Sequence, residues 1–95
     1  MKFEDFTPKE RYVIAEFVYS EESDILIKGD GHDLIELFKN KNIIDSVKAE
    51  ELNKAVDTNA NNIVSQLTTI LRENVSNEEG AKIMQEYFGG DAGVL

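Results

Sequence analysis

The chain has a single imidazole, His32, and it lies beside two carboxylates in the segment Gly29–Asp33. An imidazole titrates near neutral pH and binds divalent cations, so this segment could serve acid–base or metal chemistry. A nucleophilic triad or a metal site would need further side chains from elsewhere in the chain. Because turns and helix starts use Asp and Gly for their own backbone geometry, we interpret Asp30, His32 and Asp33 as turn and cap residues.

Other sequence patterns typical of catalysis or ligand binding are incomplete. An EF-hand loop counted from Asp24 would place Leu26 and Lys28 at its third and fifth positions, where oxygen donors are required. The pattern Gly29-x-Gly31 lacks the third glycine of a dinucleotide motif and the Gly-Lys-Ser/Thr end of a P-loop. Cysteine is absent, which excludes disulfides, thiolate metal sites and cysteine nucleophiles. We therefore expect no enzymatic activity, no cofactor and no metal.

Adjacent carboxylates recur along the chain, but their spacing does not suit acid–base catalysis. Neighbouring residues on a helix point about 100° apart, so they do not form the facing pair that such catalysis uses. Near a helix start they stabilise the positive end of the helix dipole instead. The pairs are Glu4/Asp5, Glu21/Glu22, Glu50/Glu51 and Glu78/Glu79.

The charge balance favours a basic partner over a nucleic acid. The 95 residues carry 19 Asp and Glu against 10 Lys and Arg, a net charge of −9. This excess is concentrated at the ends, with −4 over residues 1–24 and −3 over residues 76–95. Direct binding of DNA or RNA needs clustered Lys and Arg to displace counterions, and no segment has a positive balance.

The clearest helix signal is the segment Thr7–Glu10. Thr7 is a suitable N-cap, Pro8 suits the first helical position, and Glu10 can return the hydrogen bond of a capping box. Apolar residues then share one face of a helix that should end within residues 20–23. These apolar residues are Val13, Ile14, Phe17 and Val18.

Further helices follow from the same signals. A turn at Gly29–Gly31 should precede a second helix that opens at His32 and ends at residues 40–42. Asp45 is suited to cap a third helix, and residues 47–75 read either as one long helix or as two. Ser76 and Glu79 predict a second capping box for a last helix. The most regular apolar stripe comprises Ile63, Val64, Leu67, Ile70 and Leu71.

These elements predict an all-α fold, a single-domain bundle of four to five helices over residues 1–90 with a flexible C-terminal tail at 91–95. The alternative is an α+β fold with a short hairpin formed by residues 12–19 and 24–28, because both segments are β-prone. No apolar run approaches the length of a membrane span, and the N-terminus does not read as a secretory signal. We expect a cytoplasmic protein that does not bind membranes.

The leading functional hypothesis is a non-enzymatic protein-interaction module, such as an adaptor, chaperone or inhibitor, that binds a basic partner surface through an acidic and aromatic helix face. The composition, rich in Ile, Lys and Asn, would suit an accessory protein of an AT-rich bacterium or its phage. The alternatives are a DNA mimic that inhibits a nucleic-acid-binding protein and a self-assembling subunit, with the Ile63–Leu71 stripe as the homodimer contact. The predicted partner-binding residues are Tyr12, Glu16, Tyr19, Glu21, Glu22, Asp30, His32 and Asp33.

Overall fold

A computed structural model of the chain describes residues 1–22 and 28–89. Within these ranges the fold contains five α-helices and no strand, which confirms the all-α prediction. A 3₁₀ turn at Phe3–Asp5 precedes the first helix, and a π-helical turn at Gln85–Gly89 follows the last one. The helices are α1 (Pro8–Glu22), α2 (Lys28–Asn40), α3 (Ser46–Asp57), α4 (Ile63–Asn74) and α5 (Asn77–Met84).

Helix α1 rules out the hairpin alternative, because residues 12–19 are helical throughout. The predicted capping box is present: the Glu10 amide donates to the Thr7 hydroxyl over 3.2 Å, and the Thr7 amide donates to the Glu10 carboxylate over 2.8 Å. This reciprocal cap starts the helix and outweighs the β preference of the segment. Residues 24–27 of the supposed second strand, and the predicted tail at 91–95, lie outside the described residues.

Helix α2 begins at Lys28, earlier than the sequence predicted. We expected a turn at Gly29–Gly31 and a helix start at His32, because glycine is unfavourable in helices. In the structure Gly31 is buried within α2, and burial of this helix face outweighs the weak propensity of glycine. Asp30 lies in the first turn, where a negative charge is favourable.

Residues 47–75 form two helices, which answers the question that the sequence left open. Asn59 and Asn62 adopt left-handed conformations with φ of 52° and 69°, and asparagine tolerates this region better than most residues. The amide of Ala60 donates back to the carbonyl of Ala55 over 2.9 Å and closes the end of α3. At the other end of α3, the Asp45 carboxylate accepts from the Lys48 amide over 2.8 Å, which confirms the predicted cap.

The second capping box is only half formed. The Ser76 hydroxyl accepts from the Glu79 amide over 3.2 Å, as predicted. The Glu79 carboxylate instead accepts from the amide of Phe3 at 2.7 Å and from Lys82 at 3.1 Å. The bond from the Phe3 amide, and after it the bond from Lys82, lowers the pKa of Glu79. The carboxylate therefore joins the start of the chain to α5, a tertiary role that helix capping rules do not anticipate.

Arg11 holds the N-terminal segment, α1 and the π-helical turn together. Its guanidinium pairs with the carboxylate of Glu86 at 2.8 Å and donates to the main-chain carbonyls of Phe3 and Phe6. It also lies 4.1 Å from the centre of the Phe3 ring, a cation–π distance. This arrangement fixes the turn that carries Tyr87 against α1.

Helix α2 is the centre of the bundle and packs against α1, α3 and α4. The contacts show that α1 and α2 run antiparallel, since Lys41 pairs with Glu10 at one end and Asp30 with Ser20 at the other. The core includes Ile14 and Phe17 of the predicted α1 face and Ile63, Leu67 and Leu71 of the predicted α4 stripe, while the other residues of these two faces are partly buried against it. Its buried side chains are Phe6, Ile14, Ala15, Phe17, Leu34, Ile35, Leu37, Phe38, Ala49, Leu52, Val56, Ile63, Leu67, Leu71, Val75 and Ile83.

Candidate functional site

The outward side of α1 presents two tyrosines and a glutamate in one line. Tyr12, Glu16 and Tyr19 are spaced at i, i+4 and i+7, which places them on one face of a helix. Tyr12 is 50% and Tyr19 56% exposed, whereas Ile14 and Phe17 on the opposite side of the helix are buried. We call Tyr12, Glu16 and Tyr19 the tyrosine–glutamate stripe.

Tyr12 is held in place although half of its surface is exposed. Its ring lies edge-on to that of Tyr87, with centroids 5.3 Å apart and planes at 68°, a favourable aromatic geometry. The hydroxyl of Tyr87 donates in turn to the main-chain carbonyl of Pro8. Hydrogen bonding to the Glu16 carboxylate, together with its negative charge, raises the pKa of Tyr12. A ring positioned before binding loses less conformational freedom when a partner docks.

Asp30 and Asp33 extend the negative charge from α1 onto α2. The Ser20 hydroxyl donates to the Asp30 carboxylate over 2.6 Å, and Ser20 itself is buried. The charge of Asp30 also contributes to the raised pKa of Tyr12. Asp33 is exposed on α2. Asp30 thus bonds to α1 and has a structural role, whereas Asp33 is an exposed acid of α2.

His32 does not belong to this surface, and the exposed loop predicted around it does not form. It lies within α2 and turns toward α3: its Nδ1 is 2.7 Å from Oδ1 of Asn53, and its Nε2 is 2.8 Å from Oδ1 of Asp57. A protonated imidazole donates from both nitrogens, so it can satisfy both oxygens at once. Lys28 adds a bond of 3.0 Å from its ammonium to the Asp57 carbonyl. His32 therefore joins α2 to α3.

The bond to Asn53 raises the pKa of His32, partial burial opposes this, and the Asp57 and Asp33 carboxylates add to the increase. Because this pKa is raised, the protonated imidazole of His32 stabilises the fold fully below about pH 6.5, the ordinary pKa of histidine. This stabilisation is lost as pH rises through the pKa of His32 in the folded protein.

We expect the single histidine resonance in an NMR titration to give a pKa above 6.5. Asn53→Ala and Asp57→Asn should each lower it, whereas Glu73→Gln on α4 should leave it unchanged. A wild-type pKa at or below the ordinary value would contradict this.

A cleft of about 340 Å³ opens between α1, α4 and α5, on the side of α1 opposite the tyrosine–glutamate stripe. Glu21 and Arg72 both line it, and Thr68 contributes a hydroxyl. The four ion pairs found between described residues involve neither Glu21 nor Arg72. The apolar residues that line the cleft are Ile14, Phe17, Val18, Leu71, Val75 and Met84.

Of the predicted partner-binding residues, Glu21 alone is among the residues that line this cleft. Glu22 is the last residue of α1, and its side chain lies outside the described part of the structure. The roles of Tyr87, Thr68 and Arg72 depend on how α4 and α5 dock on α1, and no local sequence signal reports that docking.

The described residues offer no group of three or more His, Cys, Asp or Glu side chains that could hold a metal ion. In the same part of the chain, no helix is both long enough and apolar enough to cross a membrane. Two features of the described surface stand out: the tyrosine–glutamate stripe on the outer side of α1, and the cleft on its other side.

Fold and surface together define a small all-α domain that presents tyrosines and carboxylates on the outer side of one helix. No protein-family model matches the chain, and neither does any curated protein or solved structure.

Proposed function

We propose that this protein is a non-enzymatic protein-interaction module whose tyrosine–glutamate stripe binds a basic surface of a partner protein. The observation that carries the proposal is the exposure of Tyr12 and Tyr19, at 50% and 56%, on the outward side of a helix whose inner side is buried. Tyrosine is enriched among the residues that contribute most to protein–protein binding. An adaptor, a chaperone and an inhibitor would all use such a surface.

The charge around the stripe supports a basic partner. Glu16 lies between the two tyrosines, and Asp30 and Asp33 lie on the neighbouring helix. In the chain as a whole, 19 acidic residues outnumber 10 basic ones. Such an excess speeds association with a positively charged surface and makes it sensitive to salt. Tyrosine rings add cation–π attraction for Lys and Arg.

The self-assembly alternative was suggested by the apolar Ile63–Leu71 stripe, which is not available as a dimer contact. Ile63, Leu67 and Leu71 are buried in the core of the same chain, and Val64 and Ile70 are partly buried and pack against that core. The apolar stripe of α4 is therefore accounted for by the fold of a single copy.

The DNA-mimic alternative shares the acidic character of the proposed surface. It differs in that the partner would release its DNA on binding.

The test is to capture partners from the native lysate with the immobilised domain at low and at high salt. Wild-type protein should retain a partner whose recovery falls as salt rises, since the attraction is largely electrostatic. Tyr12→Ala with Tyr19→Ala should weaken binding of the purified partner by roughly tenfold or more, as expected when a tyrosine hot spot is removed.

Val47→Ala is the matched control, since Val47 is a 70% exposed apolar residue on α3. It should leave the affinity unchanged, and circular dichroism should show that all the variants are folded. Equal binding by the double tyrosine variant, or the absence of any salt-sensitive partner, would refute the proposal. Simultaneous binding of DNA and this domain to the partner would count against DNA mimicry.

A further inference from the structure

Glu16 lies about one helical turn from an exposed tyrosine on each side. Tyr12 precedes it by four residues and Tyr19 follows it by three, spacings that place Cβ atoms about 5–6 Å apart on a helix. Glu16 is only partly buried, and it takes part in none of the four ion pairs that join described side chains. Its negative charge is therefore open to a cation from outside the chain.

The carboxylate of Glu16 is oriented before any partner docks. The hydroxyl of Tyr12 is hydrogen-bonded to it, and the Tyr12 ring is in turn held edge-on to Tyr87. A carboxylate accepts up to about four hydrogen bonds, so one bond from Tyr12 leaves room for further donors. Because the group is fixed in advance, binding to it costs less conformational entropy.

The end of α1 also favours a cation. The carbonyl end of a helix carries partial negative charge, which a basic residue in the last turn offsets. Each of the other four described helices has such a residue, namely Lys39, Lys54, Arg72 and Lys82. The last turn of α1 has none, and the helix ends in Glu21 and Glu22. A positive charge supplied by a partner would offset this excess.

Lys9 determines which half of α1 a cation prefers. It is exposed and lies one turn before Tyr12 on the same side of the helix, because residues 9, 12 and 16 are spaced at i, i+3 and i+7. Its positive charge repels a basic group at that end. A cation is therefore favoured between Glu16 and Tyr19, toward the end of the helix.

The tyrosine beside Glu16 favours arginine over lysine as that cation. A guanidinium is flat and presents its N–H donors in a fixed fork, so it can bond to a carboxylate while its face lies on an aromatic ring. The ammonium of lysine is a compact and more strongly hydrated charge, so it gains less from the ring. Tyr19 is exposed, and its ring offers surface for this contact.

We propose that Glu16 and Tyr19 form the recognition site for an arginine of the basic partner. The guanidinium bonds to the Glu16 carboxylate, which Tyr12 positions, and its flat face lies against the Tyr19 ring. This inference rests on the proposed function and adds to it the residue type that the tyrosine–glutamate stripe selects.

A pair of short peptides with blocked ends tests this preference. One carries several arginines, and its twin carries lysine at the same positions, so the two have equal charge. Titrations followed by NMR, with the tyrosine ring resonances of the protein as the readout, give both affinities. The arginine peptide should bind wild-type protein roughly threefold or more tightly than its twin, as a cation–π contact at an exposed site allows. It should also shift the Tyr19 ring resonances.

Three variants assign the preference to these residues. Glu16→Gln should weaken binding of the arginine peptide by roughly fivefold, because a charge-assisted hydrogen bond is lost. Tyr19→Leu keeps an apolar side chain without the ring, and it should weaken the arginine peptide while leaving the lysine peptide nearly unchanged. Tyr12→Phe keeps its ring but loses the hydroxyl that holds Glu16, so it should reduce the arginine preference.

Glu73→Gln is the matched control, since it removes one exposed carboxylate from α4. It should leave the ratio of the two affinities unchanged, and circular dichroism should show that every variant is folded. Equal binding of the two peptides to wild-type protein would overturn arginine recognition. An arginine preference that persists in both Glu16→Gln and Tyr19→Leu would overturn it as well.

The outcomes also distinguish this inference from the function on which it rests. If arginine and lysine peptides bind equally, the proposed function still stands when the captured partner loses affinity for the double tyrosine variant. Failure of both peptides to bind would overturn arginine recognition. It would overturn the proposed function too only when the lysate also yields no salt-sensitive partner.

Discussion

Replacing Leu67 with alanine is expected to lower the free energy of unfolding by roughly 2–5 kcal/mol, the range found when buried leucines are truncated. Leu67 is fully buried in α4, which packs against α2 and α3. Truncation removes apolar burial and leaves a cavity that rigid neighbouring helices fill only in part. Urea denaturation followed by circular dichroism measures the change.

Gln66→Ala is the control for this substitution. Gln66 is the exposed neighbour of Leu67 on the same helix, so its replacement should change stability by no more than about 0.5 kcal/mol. A loss below 1 kcal/mol in Leu67→Ala would contradict the assignment of this residue to the core. An unfolding midpoint of the wild type that rises with protein concentration would show instead that association of copies contributes to its stability.

Ser20→Ala is expected to lower the free energy of unfolding by roughly 1–2 kcal/mol. Ser20 is 3% exposed, and its hydroxyl donates to the Asp30 carboxylate over 2.6 Å. Hydrogen bonds to charged groups contribute more than those between neutral groups. The loss stays moderate because Asp30 is only partly buried, so water can replace the lost donor.

A double-mutant cycle isolates this bond. Ser20→Ala and Asp30→Ala should each destabilise the protein, and the second change should cost less when the first is already present. Asp33→Ala, at the exposed neighbour on α2, should show no coupling to Ser20→Ala. Additive effects of Ser20→Ala and Asp30→Ala would show that the bond does not join α1 to α2. The result also matters for binding studies, because a substitution of Asp30 would alter the stability of the protein as well as its surface charge.

The sequence was sufficient where the cause lies within a few residues. The capping box of Thr7 and Glu10, the cap at Asp45 and the apolar faces of the helices are all present as predicted. Hydrogen bonds between residues three apart, and burial at a period of 3.6, can be read directly from the chain. The exposure of Tyr12 and Tyr19 follows from the same periodicity.

Local rules failed where distant parts of the chain compete for one group. Glu79 bonds to the amide of Phe3 and not to its own cap residue. His32 bonds across to α3 and is not presented in a loop. Gly29 and Gly31 lie within α2 because burial of its apolar face outweighs their poor helix propensity. In each case the deciding partner is remote in sequence or is the core itself.

The sequence by itself determined the class of the fold, the start of α1, the composition of the core and the acidic, tyrosine-bearing character of α1. Only the tertiary structure decided that Tyr87 braces Tyr12 and that His32 turns away from the surface. It also decided that residues of α1, α4 and α5 line one cleft. The reason is physical: periodicity and capping act within one helix, whereas a cleft exists only after separate helices have packed.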